Sequence, residues 1–150
     1  RIARGKIENI NELNVRDFDG VIFPGGFGVA KNLCSWAFDG SECEVDSKLE
    51  EIIKNFYELK KPIGAICIAP ALIASVLGKQ KITVTVGNDE ITSSEIEKTG
   101  ALHEVKEVHE ICVDKIHKIV STPAYMYDQA KLHKIQEAIN SCVKALLELS

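Results

Sequence analysis

A chain of 150 residues that is 45% hydrophobic and 27% charged has enough apolar material for one compact domain and too little for two. Eighteen Lys and Arg against 22 Asp and Glu leave a net charge of −4 without long like-charge blocks, which excludes the basic stripe that a nucleic-acid partner requires. The five cysteines, at 34, 43, 67, 112 and 142, form no C-x-x-C and no regular spacing. Neither a disulfide framework nor a zinc knuckle is indicated, and a reducing compartment fits best.

The chain opens at Arg1 without a methionine and without a charged-then-apolar leader, so it reads as a fragment or processed chain with no signal peptide. Asp19 to Phe23 is a short β-branched and aromatic run closed by Pro24-Gly25-Gly26-Phe27-Gly28, the pattern of a buried strand entering a tight loop. Asp46 and Ser47 can cap a helix whose Leu49, Ile52, Ile53, Phe56 and Leu59 share one face, with Ser47-x-x-Glu50 as a capping box, ending near Lys61-Pro62. Pro62 to Ile66 reads as a second buried strand, Ile68 to Leu77 as an apolar helix stopped by Gly78, and Lys81 to Val86 as a third strand.

Pro62 to Gly78 is uncharged over 17 residues, the short limit for a membrane span, but Pro62, Gly64 and Pro70 argue against one. Glu95 to Thr99 predicts a short helix ended by Gly100. His109 to Val113 and Lys118 to Ser121 predict strands joined across Asp114-Lys115. From about Tyr125 to Leu149, Leu132, Ile135, Ile139, Val143, Leu146 and Leu149 recur at helical spacing, marking a long amphipathic helix. Alternation of strand and helix predicts a mainly parallel sheet covered on both faces, with chemistry at the carboxyl ends of its strands.

Cys67 stands where an apolar strand turns into a helix, with Ala65 before it and Ala69 after it. In a nucleophile elbow the reactive residue projects from a strained turn whose neighbours must be small, and Ala-x-Cys-x-Ala satisfies that requirement. The positive end of the helix dipole favours a thiolate there, and Pro70 suits an early helical position. The same Ile-Cys-Ile also reads as ordinary core, since cysteine is among the most buried residue types. Cys142 falls on the apolar face of the last helix, Cys112 within a strand, and Cys34 and Cys43 beside a loop, all as structural or incidental residues.

The loop from Pro24 to Asn32 offers bare amides to a ligand or an oxyanion, or is simply a turn. From Gly26 it reads G-x-G-x-x-K, lacking the third glycine of a dinucleotide site, and no phosphate-cradling G-x-x-x-x-G-K-[ST] occurs, so no cofactor is expected. Of the four histidines, at 103, 109, 117 and 133, none neighbours Cys67 in sequence. His133 reads as surface, His109 begins a strand and could approach the site, and His109-x-x-Cys112 lacks the second pair that a metal site needs. Ser121 to Tyr125 follows a strand end and reads either as a pocket wall or as a helix entry.

Phe23-Pro-Gly-Gly-Phe-Gly-Val-Ala-Lys-Asn32, Lys61-Pro-Ile-Gly-Ala-Ile-Cys-Ile-Ala-Pro70 and Val120-Ser-Thr-Pro-Ala-Tyr-Met126 resemble, in order and spacing, the ThiJ/PfpI superfamily of class I glutamine amidotransferase-like domains. The closest branch is the ElbB-like one, named for enhancing lycopene biosynthesis and including glyoxalase-like bacterial proteins and mitochondrial relatives. The resemblance covers nearly the whole chain and implies a flavodoxin-like three-layer sandwich, with Cys67 as elbow nucleophile and the amides of Gly26 and Ile68 as oxyanion-hole candidates. Gly25, Phe27, Gly28 and Asn32 complete the expected oxyanion and substrate-binding loop. It also implies a homodimer, in the bacterial cytoplasm or the mitochondrion. Relatives place an acidic residue from a first strand-helix unit on the cysteine, and the chain is expected to lack that β-α-β segment.

Two departures restrict the chemistry. Glutamine amidotransferases carry a His-Pro-Glu motif where this chain has Thr122-Pro123-Ala124, and PfpI-type peptidases place a histidine directly after the cysteine, where this chain has Ile68. The expected activity is cofactor-independent conversion of glyoxal or methylglyoxal to a 2-hydroxy acid through a Cys67 hemithioacetal. The alternatives are a redox-responsive or small-molecule-binding module using the same cysteine, or a member with a vestigial site.

Overall fold

The computed structural model describes Gly5 and residues 7–150. Three parallel strands form its centre: β1 (Val21–Phe23), β2 (Ile63–Ile66) and β6 (Ile119–Thr122), with β5 (Cys112–Asp114) antiparallel to β6, in the order β1-β2-β6-β5. Register pairs Ile63 with both Val21 and Ile119, and Ile66 with Thr122.

Strand periodicity divides the buried side chains between two cores. Phe23, Ile63, Ala65 and Ile119 join one core with α2 (Ser47–Glu58), α3 (Ala69–Leu77) and Ile96 of α4 (Glu90–Lys98). Ile66 and Val120 join a second core with α5 (Leu132–Leu149). The sheet is therefore buried on both faces, as in a flavodoxin-like sandwich. Among the described residues no helix is long and apolar enough to cross a membrane.

Several elements differ from their sequence pattern. The first strand begins at Val21 rather than Asp19. Asp46, not Ser47, caps α2, its carboxylate accepting the N–H groups of Lys48 and Leu49 at 3.1 and 3.0 Å; Ser47 is already helical and the predicted capping box does not form. Leu49, Ile52, Ile53 and Phe56 are buried as expected, but Leu59 lies beyond the last turn and is exposed. The predicted strand over Lys81 to Val86 shrinks to β3 (Thr83–Val84), which pairs with an unanticipated β4 (Leu102–His103) in a separate two-stranded sheet.

The helix predicted at Glu95 starts five residues earlier, capped by Asp89 through the Thr92 N–H at 3.0 Å. β5 starts at Cys112, and the turn to β6 spans residues 115–118. α5 starts at Leu132 rather than Tyr125, because Ala124–Met126 forms a separate 3-10 turn. Its buried stripe is Ile135, Ala138, Cys142 and Leu146, one step around from the predicted face, leaving Leu132 and Val143 exposed.

Asp114 ties the small sheet to the large one. Its carboxylate accepts the Thr83 N–H at 2.8 Å, the His117 N–H at 3.0 Å and the His117 ring Nδ1–H at 2.7 Å. Burial works to raise this carboxyl, but the hydrogen bonds and the neighbouring imidazole outweigh it and hold Asp114 below the usual carboxylate value. A depressed folded value stabilises the protein above the ordinary Asp range, near pH ~4, and that stability is lost as the pH falls through the folded value. Asp114→Asn is expected to cost ~1–3 kcal/mol at neutral pH and to flatten the acid limb of the stability profile, read by urea denaturation at several pH values.

Candidate functional site

The elbow is built by continuing a strand one residue too far. The Cys67 N–H donates to the Thr122 carbonyl at 3.0 Å, extending the β2–β6 ladder beyond Ile66. The backbone then turns through φ +61° at Cys67 itself, and α3 begins at Ala69 with Pro70 in its first turn. Positive φ at a residue with a Cβ is strained by about 1–3 kcal/mol and is retained where the surroundings impose it. Here Ala65 and Ala69 on either side are fully buried, and the Cys67 N–H is tied to the Thr122 carbonyl.

That strain has a measurable signature. At an ordinary site glycine is the less stable replacement, but at φ +61° it relieves the Cβ clash. Cys67→Gly is therefore expected to be more stable than Cys67→Ala by about 1 kcal/mol, measured by thermal or urea unfolding of the two variants.

The glycine loop after β1 closes over the elbow. Gly25 and Gly26 have φ of +83° and +90°, and Gly25 packs so tightly that a Cβ there would lie 2.4 Å from the Ile66 carbonyl and 2.9 Å from the Cys67 Cβ. The Gly26 carbonyl accepts the Val29 N–H at 3.0 Å, and among the described residues the Gly26 amide has no backbone acceptor. Ile68 caps α3 without a side-chain hydrogen bond, its carbonyl accepting the Ala71 N–H at 3.0 Å. Instead of an ordinary helix the loop enters a π-helical turn, Val29–Leu33, followed by the short helix α1 (Trp36–Asp39).

Cys67 is half-buried and opens on a cleft of about 430 Å3, whose lining includes Gly26, Phe27 and Ile68. Trp36 and Ala37 of α1 with Ala30 form one wall, and Asp89, Thr92 and Met126 line the remainder. A recess of about 460 Å3 between Leu13–Arg16 and α2 is comparable in size but has no cysteine in its lining. Phe27 is 73% exposed at the cleft mouth, and Lys31 Nζ lies 6.0 Å from its ring and 5.7 Å from that of Phe38, within cation–π range.

The structure thus brings Gly26, Phe27, Cys67 and Ile68 together, with Gly25 packed beneath them. Gly28 and Asn32 are exposed and are not among the cleft walls. No histidine lines the cleft among the described residues: His109 is exposed in the turn before β5, His133 is exposed on α5, His117 is held by Asp114, and His103 accepts the Val86 N–H at 3.1 Å. Burial lowers His103 from its ordinary value and favours the neutral ring that this acceptor role requires. The Ser121 to Tyr125 segment serves the elbow through the Thr122 carbonyl, and Met126, just beyond it, reaches the cleft.

Sequence reasoning missed Trp36, Asp89, Thr92 and Met126. Asp89 had a readable signal, an Asp three residues before Thr92 at the start of a polar-faced helix. Trp36 had none, since α1 is a single turn.

The chain is 44% identical to "ES1 protein homolog, mitochondrial" of Rattus norvegicus and 45% identical to "Glutamine amidotransferase-like class 1 domain-containing protein 3, mitochondrial" of Homo sapiens. Each match covers all of this chain but only 59% and 58% of those relatives, so the chain spans less than two thirds of their length. A solved structure, an isoprenoid biosynthesis protein with amidotransferase-like domain from Ehrlichia chaffeensis, superposes with a TM-score of 0.87 at 32% identity, covering 97% of this chain and 66% of that one. Rapid Encystment Protein 24 KDa of Francisella tularensis shares the fold at a TM-score of 0.61 and 18% identity. With residues 6–121 matching the family and the strained cysteine at the end of β2, the chain belongs to the DJ-1/PfpI family.

Proposed function

We propose that this protein is a cofactor-independent glyoxalase-like enzyme acting on small 2-oxoaldehydes. The observation that carries the reading is a strained cysteine facing a cleft that holds one carboxylate, Asp89, and no histidine among the described residues. A cysteine hydrolase of the amidotransferase kind needs an imidazole to protonate its leaving amine. An internal proton transfer has no leaving amine, and a carboxylate that takes and returns one proton is sufficient.

The Cys67 thiolate adds to the aldehyde carbon of methylglyoxal, forming a C–S bond and an alkoxide stabilised by the Gly26 and Ile68 amides. Asp89, held in place by the Thr92 N–H on Oδ1, removes the proton from the former aldehyde carbon and returns it to the neighbouring carbon, whose oxygen, left as an alkoxide, takes a proton from water. The product is a thioester of the 2-hydroxy acid, which water hydrolyses to lactate and the free thiol. Glyoxal gives glycolate by the same steps. The apolar walls, Trp36, Ala37 and Met126, suit a small substrate with few polar atoms.

The test is the appearance of the 2-hydroxy acid, by chromatography or an enzyme-coupled assay, when purified protein meets glyoxal or methylglyoxal. Multiple turnover that depends on Cys67 supports the reading. Aldehyde loss limited to one equivalent, without hydroxy acid, overturns it in favour of a binding or redox module.

A further inference from the structure

Cys34 and Cys43 take no part in the chemistry above. Cys34 follows the π-helical turn and pairs with Val45 in an isolated antiparallel bridge. Ser35 N–H donates to the Glu44 carbonyl at 2.9 Å and Asp46 N–H to the Leu33 carbonyl at 3.0 Å, so the two arms are locked together on both sides of the bridge. Between them the chain winds through α1 and the 3-10 turn Gly40–Glu42 and returns at Cys43.

In an extended arm, residues two apart share a face, so Cys43 lies on the side that Val45 presents with Cys34. Both cysteines pack against the same core. Burial is the largest cause that pushes Cys34 up from its ordinary value, and the nearby Cys43 adds to the rise. Cys34 Sγ donates to the Val29 carbonyl at 3.4 Å, while Cys43, half-buried and so the more accessible of the two, lies 3.2 Å from Ser75 Oγ. Both are free thiols in the structure.

We propose that Cys34 and Cys43 are an oxidation site of their own, forming a reversible intramolecular disulfide when the protein meets a hydroperoxide. Cys43 attacks the peroxide; the O–O bond breaks, one oxygen becomes the Cys43 sulfenic acid and the other leaves as water. The Cys34 sulfur then attacks the Cys43 sulfur, the S–O bond breaks, and hydroxide departs with the Cys34 proton as a second water. Two thiols and one hydrogen peroxide give one disulfide and two waters. The bond closes a loop over residues 34–43, the segment that carries Trp36 and Ala37 of the Cys67 cleft wall.

The test uses purified protein exposed to hydrogen peroxide, alkylated, and digested with trypsin without reduction. Residues 32–48 form one tryptic peptide that contains Cys34 and Cys43 and no other cysteine, so the readout is independent of Cys67 and of any activity. The expected result is loss of two hydrogens and of both alkylation sites from that peptide, reversed by dithiothreitol. In Cys34→Ser, Cys43 is expected to accumulate as a sulfenic acid trapped by dimedone. Retention of two alkylatable thiols, conversion of Cys43 to sulfinic acid with Cys34 still free, or a linkage only between molecules would overturn the proposal.

Discussion

Cys67→Ala is expected to lower 2-oxoaldehyde turnover by at least ~10^3-fold with the fold intact, measured as hydroxy-acid formation beside circular dichroism. The alanine preserves the Cβ and the Thr122 hydrogen bond, so the loss isolates the sulfur. Serine is not expected to rescue it, because a hydroxyl without an imidazole base is a poor nucleophile and the cleft lining holds no histidine among the described residues. Asp89→Asn separates the two halves of the mechanism. Asparagine caps a helix as well as aspartate does, so α4 stays in place. Hemithioacetal formation on Cys67 is expected to persist, while hydroxy-acid formation falls by ~10^2- to 10^4-fold, the range for loss of a general acid–base group. Loss of both together would mean that Asp89 positions the loop rather than the proton.

Gly25→Ala is expected to be the most damaging conservative change on the loop, costing about 3 kcal/mol in urea unfolding and misplacing the elbow. The φ of +83° alone costs an alanine roughly 1–2 kcal/mol. The added Cβ also meets the Ile66 carbonyl at 2.4 Å, a backbone atom that no rotamer change can move. Gly26→Ala is the control: its φ of +90° is equally unfavourable, but a Cβ there meets nothing within 4 Å, so only the backbone cost of roughly 1–2 kcal/mol is expected.

The parts of the fold legible in the sequence were those where burial and periodicity agree. β2 announced itself as an apolar run between Pro62 and Cys67, and α2 as a stripe from Leu49 to Phe56, because both sit deep in the core. β4 did not, since Leu102 and His103 are two residues whose strand character arises only from pairing with Thr83 and Val84. The stripe of α5 was misread by a step because Ala138, a small residue with little weight in an apolar pattern, lies against the sheet beside Cys142, which the sequence did place on the apolar face, while Leu132 and Val143 face outward. At the site, the elbow was visible because a turn of that shape demands small neighbours on both sides. The rest of the cleft was contributed by Trp36, Asp89 and Met126, brought together by the fold from three separated stretches of chain.

The hydrogen bond from Cys67 to Thr122 limits how this protein can be altered by insertion or deletion. Side chains alternate faces along β2, so one residue added or removed inside it would place an isoleucine at the elbow and exchange the occupants of the two cores. Length changes that reshape the cleft fall instead to the α1 arm, whose Ser35–Glu44 and Leu33–Asp46 backbone bonds close within the arm itself. The place of Cys67 is fixed by counting along a strand, while the wall of its cleft is left to a part of the chain that can grow or shrink.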